Sequence, residues 1–170
     1  MNLFLRLLLL FVSFPFRERC PALGPARKRF RVWPPDLDVL FHVNNGVYLS
    51  MLDVARVDLI LRSGMASELK RRRWYPVVAA ETIRFRRSLQ LFQAFEVETT
   101  VIGWDEKAFI LQHRFTRGEI LVAEAVVRWR FLKRRGGTVS RRELLDAVGL
   151  SDPSPPLPTW IEDWNRENAS

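Results

Sequence analysis

One stretch of this chain is apolar on nearly every side, and it restricts the fold more than any other. From Gly46 to Ser63 the apolar residues recur at helical spacing, with Asn44 or Asn45 placed to cap the start and Gly64 to end the helix. A helix without a polar face belongs inside a domain rather than on its surface. The sequence therefore predicts a buried helix that other elements must cover. Its apolar members are Val47, Tyr48, Met51, Leu52, Val54, Ala55, Val57, Leu59, Ile60 and Leu61.

Most of the remaining chain shows the two-residue alternation of half-buried strands. A first strand is predicted over Lys28–Trp33, and Pro34-Pro35 ends it because proline cannot donate to a ladder. Four strands are predicted after the helix, from alternation at Ile83–Arg86, Phe95–Val101, Phe109–Phe115 and Leu121–Phe131. One buried helix followed by antiparallel strands is an α+β order, and a strongly curved sheet can wrap such a helix.

The length of 170 residues suits a single domain, and 48% hydrophobic residues are ample for its core. We expect an N-terminal apolar segment and linker over residues 1–26, a main domain over 27–135 and a C-terminal region over 136–170. That last region is predicted to hold a short helix capped by Ser140 and a proline-rich tail. Its Trp160 and Trp164 are expected to pack on the domain surface.

The stretch DLDVLFHVNNGVYLSMLDVAR, Asp36–Arg56, is the most informative part of the sequence. It resembles the signature of the 4-hydroxybenzoyl-CoA thioesterase-like hot-dog superfamily, in which an aspartate-rich turn precedes HVNN or HANY, a tyrosine and a helix. A second stretch, Arg84–Phe115, resembles a thioesterase-like branch found in bacteria and, with a membrane anchor, in animals. The resemblance implies a hot-dog fold, in which a curved antiparallel sheet wraps one long helix.

The resemblance also implies which residues carry the chemistry. Asp38 matches the aspartate that acts as nucleophile or general base on a thioester carbonyl, and His42 matches a histidine four residues after it. Asp53 stands where some relatives keep an acidic residue on the helix, so it is the alternative working carboxylate. Thioester hydrolysis needs a base or nucleophile and donors for the oxyanion, which the first N–H groups of the helix would supply.

The substrate-binding residues expected beside them are Asn44, Asn45, Gly46 and Tyr48 at the helix start, and Arg86 and Arg87 as a clamp for the phosphates of coenzyme A. Each of these residues also has a purely structural interpretation. Asp38 suits a turn, the asparagines suit helix caps, and Asp53 suits an ion pair with Arg56 three residues on. His42 fits equally well as a hydrogen-bonded structural residue.

Two residues depart from the pattern of the relatives. Leu40 stands where plant members carry asparagine, and Phe41 where bacterial members often carry glycine. These apolar side chains either block the usual approach to the carbonyl or line a tunnel for an acyl chain.

The ends and the charge of the chain leave several interpretations open. Leu3–Phe16 is almost wholly apolar but short for a membrane span, so it predicts either a packed helix or an interfacial anchor helped by Arg17 and Arg19. The net charge of +8 favours an anionic partner, although its basic residues are scattered and no nucleic-acid-binding signature accompanies them. The single cysteine, Cys20, forms no internal disulfide, and we expect a cytoplasmic protein with possible association at a membrane.

The sequence as a whole favours an acyl-CoA thioesterase that works as a homodimer or homotetramer with a shared site. The expected partner is an acyl-CoA, with no nucleic acid, no metal, and no cofactor beyond the coenzyme A of the substrate. The competing interpretation is a non-catalytic acyl-CoA or lipid-binding module at a membrane surface.

Overall fold

A computed structural model describes residues 3–151 and 153–169, and in that part of the chain five α-helices, two short 3-10 helices (Phe14–Phe16 and Pro34–Asp36) and five strands are present. Parts of the N-terminal and C-terminal predictions fall on Met1, Asn2, Asp152 and Ser170, which lie outside the described residues. The elements in chain order are α1 (Leu3–Ser13), β1 (Ala26–Arg31), α2 (Asn45–Arg62), α3 (Met65–Arg72), β2 (Trp74–Phe85), β3 (Ala94–Trp104), β4 (Ala108–Arg117), β5 (Ile120–Lys133), α4 (Arg141–Val148) and α5 (Thr159–Glu167).

Helix α2 is the buried helix that the sequence predicts. Asn44 caps it, with its side-chain oxygen accepting a hydrogen bond from the Gly46 N–H at 2.8 Å. Beyond its last turn Gly64 adopts a left-handed conformation, φ 80°, which glycine adopts without steric cost. Nine of its 18 residues are buried, and burying each large apolar side chain is worth about 1.5–3 kcal/mol.

The five strands form one antiparallel sheet in the order β1-β3-β4-β5-β2. Register shifts in three of the strand pairs bend the ladder where they occur, which helps a sheet to curve. The inward-facing residues of β3, β4 and β5 share one core with α2. The predicted α+β hot-dog fold, one long buried helix wrapped by a curved antiparallel sheet, is confirmed.

Strand β2 is much longer than the sequence suggested, because it begins at Trp74 rather than near Ile83. Pro76 and the run of small apolar residues at Val77–Ala80 break the alternation that would have marked it. Proline is tolerated because β2 is an edge strand in the described chain, where it pairs with β5 alone.

The outer face of the sheet is covered by helix α5, which the proline-rich sequence before it obscured. Ile161 packs against Ile110 and Val126, with Trp160 and Trp164 around them. Gly103 of β3 lies directly beneath this C-terminal segment, where an added Cβ would come within 2.9 Å of Leu157.

A buried polar cluster fixes α5 in place. The Arg128 guanidinium, 1% exposed, donates to Asp105 Oδ2 at 2.6 Å and to Asn165 Oδ1 at 3.0 Å. Burial by itself would raise the pKa of Asp105, but hydrogen bonds from the Lys107 N–H, Asn165 and Arg128 outweigh it and lower that pKa. The ionised carboxylate therefore ties α5 to the sheet.

The apolar N-terminal segment forms helix α1, which packs on the domain by one side. Leu10 is fully buried in the main core, and Arg6 is buried with it. The opposite side stays open to solvent, with Phe4, Leu8 and Val12 all more than half exposed. Within residues 3–151 and 153–169, no helix is both long and apolar enough to cross a membrane.

His113 of β4 is a fully buried imidazole beneath α2. Its Nδ1 lies 2.9 Å from Thr99 Oγ1, and its Nε2 has no hydrogen-bond partner in the described part of the chain. Burial, with the nearby Arg56 cation, holds the pKa of His113 well below 6.5. The folded protein therefore keeps this side chain neutral over a pH range in which the unfolded chain binds a proton.

We expect stability to fall as the pH decreases below about 6.5. The contribution of His113 is complete above its unfolded pKa and is lost at about 1.4 kcal/mol per pH unit below it, since only the unfolded chain gains the proton. Urea unfolding at pH 7.5 and 5.5 measures the difference. His113→Gln should remove this component, whereas His42→Gln, at an exposed position, should keep it. An equal pH dependence in wild type and His113→Gln would contradict the assignment.

Candidate active site

The connection between β1 and α2 carries most of the predicted site residues, and Asp36 fixes its shape. Asp36 is 1% exposed, and its Oδ2 accepts hydrogen bonds from the Trp33 N–H at 2.8 Å and from Arg6 at 2.6 Å. Its backbone oxygen accepts from the Asn44 N–H at 2.9 Å. Asp36 therefore ties the connection to α1 on one side and to the start of α2 on the other.

Asp38, two residues further on, has a different environment. It is half-buried, and its Oδ1 accepts hydrogen bonds from the Leu40 N–H at 2.9 Å and the His42 N–H at 3.3 Å. Backbone hydrogen bonds between Asp38 and His42 and between Phe41 and Asp38 close the same loop. This is an aspartate turn of the kind that the sequence allowed, and it holds one carboxylate oxygen of Asp38 in place.

The loop exposes its tip. Val39, Leu40 and Phe41 are 92%, 70% and 77% exposed, and Phe41 has the left-handed backbone φ of 58°. Leu40 and Phe41 therefore neither cover Asp38 nor line a closed tunnel within this chain. His42 is exposed as well, on the return side of the loop.

The start of α2 follows directly and supplies backbone donors. The Gly46 N–H is used by the Asn44 side chain, and the Val47 N–H donates to the Asn44 carbonyl at 2.9 Å. Asn44 therefore acts as a cap, which is the structural interpretation of that residue. Asn45 is exposed at the first position of the helix, where the backbone N–H lies outside the helical ladder.

Asp53 forms the ion pair that its spacing suggested. Its Oδ1 lies 2.5 Å from Arg56 Nη2, and its side chain is 53% exposed. No hydrogen bond joins Asp53 to Asp38 or His42 in the part of the chain that the structure describes.

Glu81 of β2 is a further carboxylate at this cluster that sequence reasoning missed. Its Oε2 lies 3.8 Å from Arg56 Nη1, so Glu81 and Asp53 contact the same guanidinium group. Burial raises the pKa of Glu81, Arg56 lowers it and Asp53 raises it again, with a net increase. The available signal was a lone acid directly after the apolar run Val77–Ala80, in a segment whose strand was not recognised.

Tyr48 lies in the core rather than on an accessible surface. It is 2% exposed, and its ring packs edge-on against Phe85 at 5.0 Å and Phe115 at 5.3 Å between centroids. Burial raises the pKa of Tyr48, in part offset by a hydrogen bond from the Leu89 backbone. In this chain Tyr48 packs the first turn of α2 against the core of the domain.

Arg86 and Arg87 lie at the same end of the sheet as this connection. Their backbone N–H groups donate to the Val122 carbonyl at 2.9 and 3.0 Å, while the nearby Leu89 carbonyl accepts from the Val43 N–H at 3.1 Å. Both side chains are exposed and line a hollow of about 460 Å³ together with Arg117. Three guanidinium groups at one hollow are suited to phosphate.

No group of three or more His, Cys, Asp or Glu side chains arranged to hold a metal ion is found in residues 3–151 and 153–169.

A family model described as the thioesterase-like superfamily matches residues 32–165, which includes the whole of this site. The chain belongs to this superfamily. Two curated relatives are both named Protein THEM6. The Danio rerio protein is 37% identical over 133 residues, 77% of this chain and 66% of its own length. The Xenopus laevis protein is 45% identical over 84 residues, 49% of this chain and 41% of its own. The chain thus spans less than two thirds of either relative.

Solved structures share the fold. The Escherichia coli protein YbaW, named a probable thioesterase, is 24% identical with a TM-score of 0.65, covering 72% of this chain and 98% of its own. A Staphylococcus aureus protein solved in complex with CoA is 14% identical with a TM-score of 0.61, covering 79% of this chain and 90% of its own. At these identities the similarity establishes the hot-dog fold alone.

The different environments of Asp36 and Asp38 predict different responses to the same substitution. Asp36→Asn removes the charge that faces the buried Arg6, and breaking such a pair costs about 3–5 kcal/mol. Asp38→Asn keeps an oxygen for the Leu40 and His42 N–H groups and should cost less than about 1 kcal/mol. Urea unfolding of the two variants measures both. Similar losses would show that Asp36 does not fix the connection.

Proposed function

We propose that the protein hydrolyses acyl-CoA thioesters to a free acid and coenzyme A. The observation that carries this proposal is the arrangement at residues 38–46, where Asp38 and His42 lie on one short loop that leads directly into the first turn of a buried helix. Membership of the thioesterase-like superfamily supports the reaction class. The acyl group and the carrier are part of the proposal.

In this mechanism Asp38 attacks the thioester carbonyl or takes the proton of an attacking water. Its Oδ1 is held by the Leu40 and His42 N–H groups, so the carboxylate is oriented before substrate binds. The N–H groups of Gly46 and Val47 already donate to Asn44. We therefore assign the Asn45 N–H as the backbone donor for the developing oxyanion. The coenzyme A thiolate then leaves. On the general-base route it takes the proton that Asp38 removed from water, and the free acid is formed directly. On the nucleophilic route it takes a proton from solvent, and a water molecule then hydrolyses the acyl–Asp38 anhydride, which releases the free acid and restores the carboxylate.

The remaining predicted residues are assigned supporting roles in substrate binding and catalysis. Arg86 and Arg87 are proposed to hold the phosphates of coenzyme A, since their hollow lies at the end of the sheet where the loop lies. His42, exposed beside Asp38, orients water or substrate. Asp53 is the alternative carboxylate, and Glu81 contacts the same Arg56 guanidinium as Asp53. No cofactor is proposed beyond the coenzyme A of the substrate, and the cytoplasmic location stays a prediction.

Asp38→Asn tests this assignment because it keeps the turn and removes the charge. Hydrolysis of a panel of acyl-CoAs, followed by thiol release, should fall at least about a hundredfold while acyl-CoA binding survives. His42→Ala should cost less if it only orients water or substrate, and about as much if it is the general base. Asp53→Asn is the matched control on the neighbouring helix, and its rate should stay close to wild type.

A full-rate Asp38→Asn enzyme would move the chemistry to Asp53 or His42. A wild-type protein that binds acyl-CoA but releases no thiol would eliminate the enzyme and leave a binding module.

We also propose a homodimer, or a dimer of dimers, formed through the free edge of β2. An open strand edge invites pairing, and this edge presents Tyr75 and Val78 to solvent. The exposed loop tip at Leu40 and Phe41 and the exposed Phe92 are apolar surface that a second subunit would cover. A shared site would then be completed by the partner.

Light scattering should report a dimer or larger for the wild-type protein, and Val78→Lys should shift it toward monomer, since a charge at a strand edge opposes pairing. Ile120→Lys is a matched control, because Ile120 is 39% exposed against 40% for Val78 and lies on β5. A monomer at micromolar concentration in the wild type would remove the shared site.

A second candidate is an acyl-CoA or lipid-binding module at a membrane surface. The observation that favours it is α1, whose exposed side presents Phe4, Leu8, Phe11 and Val12 while the other side is fixed by Arg6 and Leu10. Helices with one exposed apolar face bind membranes by lying in the plane of the lipid interface.

Leu8→Glu with Val12→Glu should abolish flotation with anionic vesicles and leave the fold intact, because both side chains are exposed. The conservative pair Leu8→Met with Val12→Ile should still float. Point substitutions are preferable to deletion of residues 1–16, since that deletion also removes the buried Arg6 and Leu10. A wild-type protein that does not float would refute the membrane role.

A further inference from the structure

Two of the longest basic runs of the chain, Lys70–Arg73 and Lys133–Arg135, lie about sixty residues apart in sequence and meet in the fold. Trp74 pairs with Lys133 where β2 begins and β5 ends. The Arg134 N–H donates to the Arg73 carbonyl at 3.0 Å just beyond this pair. The antiparallel ladder therefore joins two basic runs that are far apart in sequence.

Between them lies a cavity of about 250 Å³, which we call the basic hollow. It is smaller than the roughly 300–1,000 Å³ of typical drug-sized ligand pockets. Every residue that lines it is a cation: Arg71, Arg72, Arg73, Lys133, Arg134 and Arg135. A small hollow with such a lining suits a compact anion rather than an acyl chain.

Two carboxylates balance part of this charge. Glu68 pairs with Arg71 and Arg72, and Glu143 lies 2.8 Å from Lys133. The hydrogen bond from Lys133, with donors from Ser140, lowers the pKa of Glu143 to about 2, so it remains ionised.

The other three cations of the hollow keep their charge uncompensated. Arg73, Arg134 and Arg135 form no ion pair with any residue that the structure describes. Their like charges line the same cavity, and a bound anion would offset them.

The backbone at Arg73 holds this arrangement in place. Arg73 ends α3 in a left-handed conformation, φ 57°, where glycine is the usual residue. The Arg72 guanidinium lies 5.0 Å from the centre of the Trp74 ring, which positions its cation. Contacts within the protein thus position the Arg72 part of the lining.

The basic hollow is remote from the candidate active site of the same chain. Strand β2 runs 12 residues from Trp74, beside the hollow, to Phe85, which contacts Tyr48 under the start of α2. At about 3.3 Å per residue the two ends are roughly 35 Å apart along the strand. The hollow is therefore a separate feature from the hollow of Arg86 and Arg87.

We propose that the basic hollow binds a ligand that carries two or more phosphate groups, either a free diphosphate or a lipid headgroup phosphorylated at two positions. An arginine guanidinium can donate two parallel hydrogen bonds to the oxygens of one phosphate group. Each phosphomonoester carries about 1.5–2 negative charges. Two such groups match the three uncompensated arginines, which a single carboxylate does not. The proposal does not depend on thioesterase activity.

Calorimetric titration of the 170-residue chain with inorganic pyrophosphate and inorganic phosphate tests it. Pyrophosphate should bind at least about tenfold more tightly than phosphate and weaken as salt is added. Flotation then distinguishes the source. Phosphatidylcholine vesicles with phosphatidylinositol bisphosphate should bind better than phosphatidylserine vesicles of equal charge if the ligand is a headgroup, and no better if it is free.

The variant pair Arg134→Gln with Arg135→Gln should weaken pyrophosphate binding at least about tenfold. Both residues lie in an exposed turn after β5, so the fold should be kept. Arg114→Gln with Arg166→Gln removes the same charge from exposed positions elsewhere and should change nothing. Acyl-CoA should bind both pairs alike.

Three outcomes would overturn the proposal. One is equal weakening by both pairs, which would show only general surface charge. Another is loss of acyl-CoA binding in the Arg134 and Arg135 pair, which would make the hollow part of the substrate site. The last is equally tight binding of an oligonucleotide without terminal phosphate, which would indicate a nucleic-acid surface.

Discussion

The structure depends on the need to cover a helix that is apolar around most of its circumference. Helix α2 buries residues around most of its circumference, so no single packing partner suffices. The sheet meets this need by curving, and the register shifts in three strand pairs help it to bend. The start of α2 remains at one end of the sheet, where the connection from β1 reaches it.

The need to hold the start of α2 also gives Asp36 and Asp38, the two aspartates of the motif, different environments. The connection has to hold the end of a buried helix, and Asp36 does so by bonding to Arg6, Trp33 and Asn44 from inside the protein. Asp38, two residues on, is left on a half-buried turn that opens to solvent. A rigid anchor beside an accessible carboxylate is compatible with the proposed catalytic role of Asp38, since the carboxylate keeps its position without being fully buried.

Much of the fold could be predicted because helix and strand periodicities are local. The cap at Asn44, the buried helix and the later strands all follow from residues near one another in sequence. Prediction failed where residues near one another in sequence show no periodicity. In the first part of β2, small residues and Pro76 interrupt the alternation, and the strand is recognised only from its pairing with β5. The same failure concealed Glu81 beside Arg56, and Tyr48 was assigned to substrate although its aromatic neighbours place it in the core.

The sequence by itself determined the α+β order, through local helix and strand periodicities. It also carried the family resemblance, which implied the hot-dog fold, and the short spacing that places Asp38, His42 and Asn44 together. Only the tertiary structure decided which aspartate is buried, that Leu40 and Phe41 point outward, and that α5 covers the sheet. It also brought Arg73 and Arg134 together, because antiparallel pairing joins segments whose separation along the chain carries no trace of their contact.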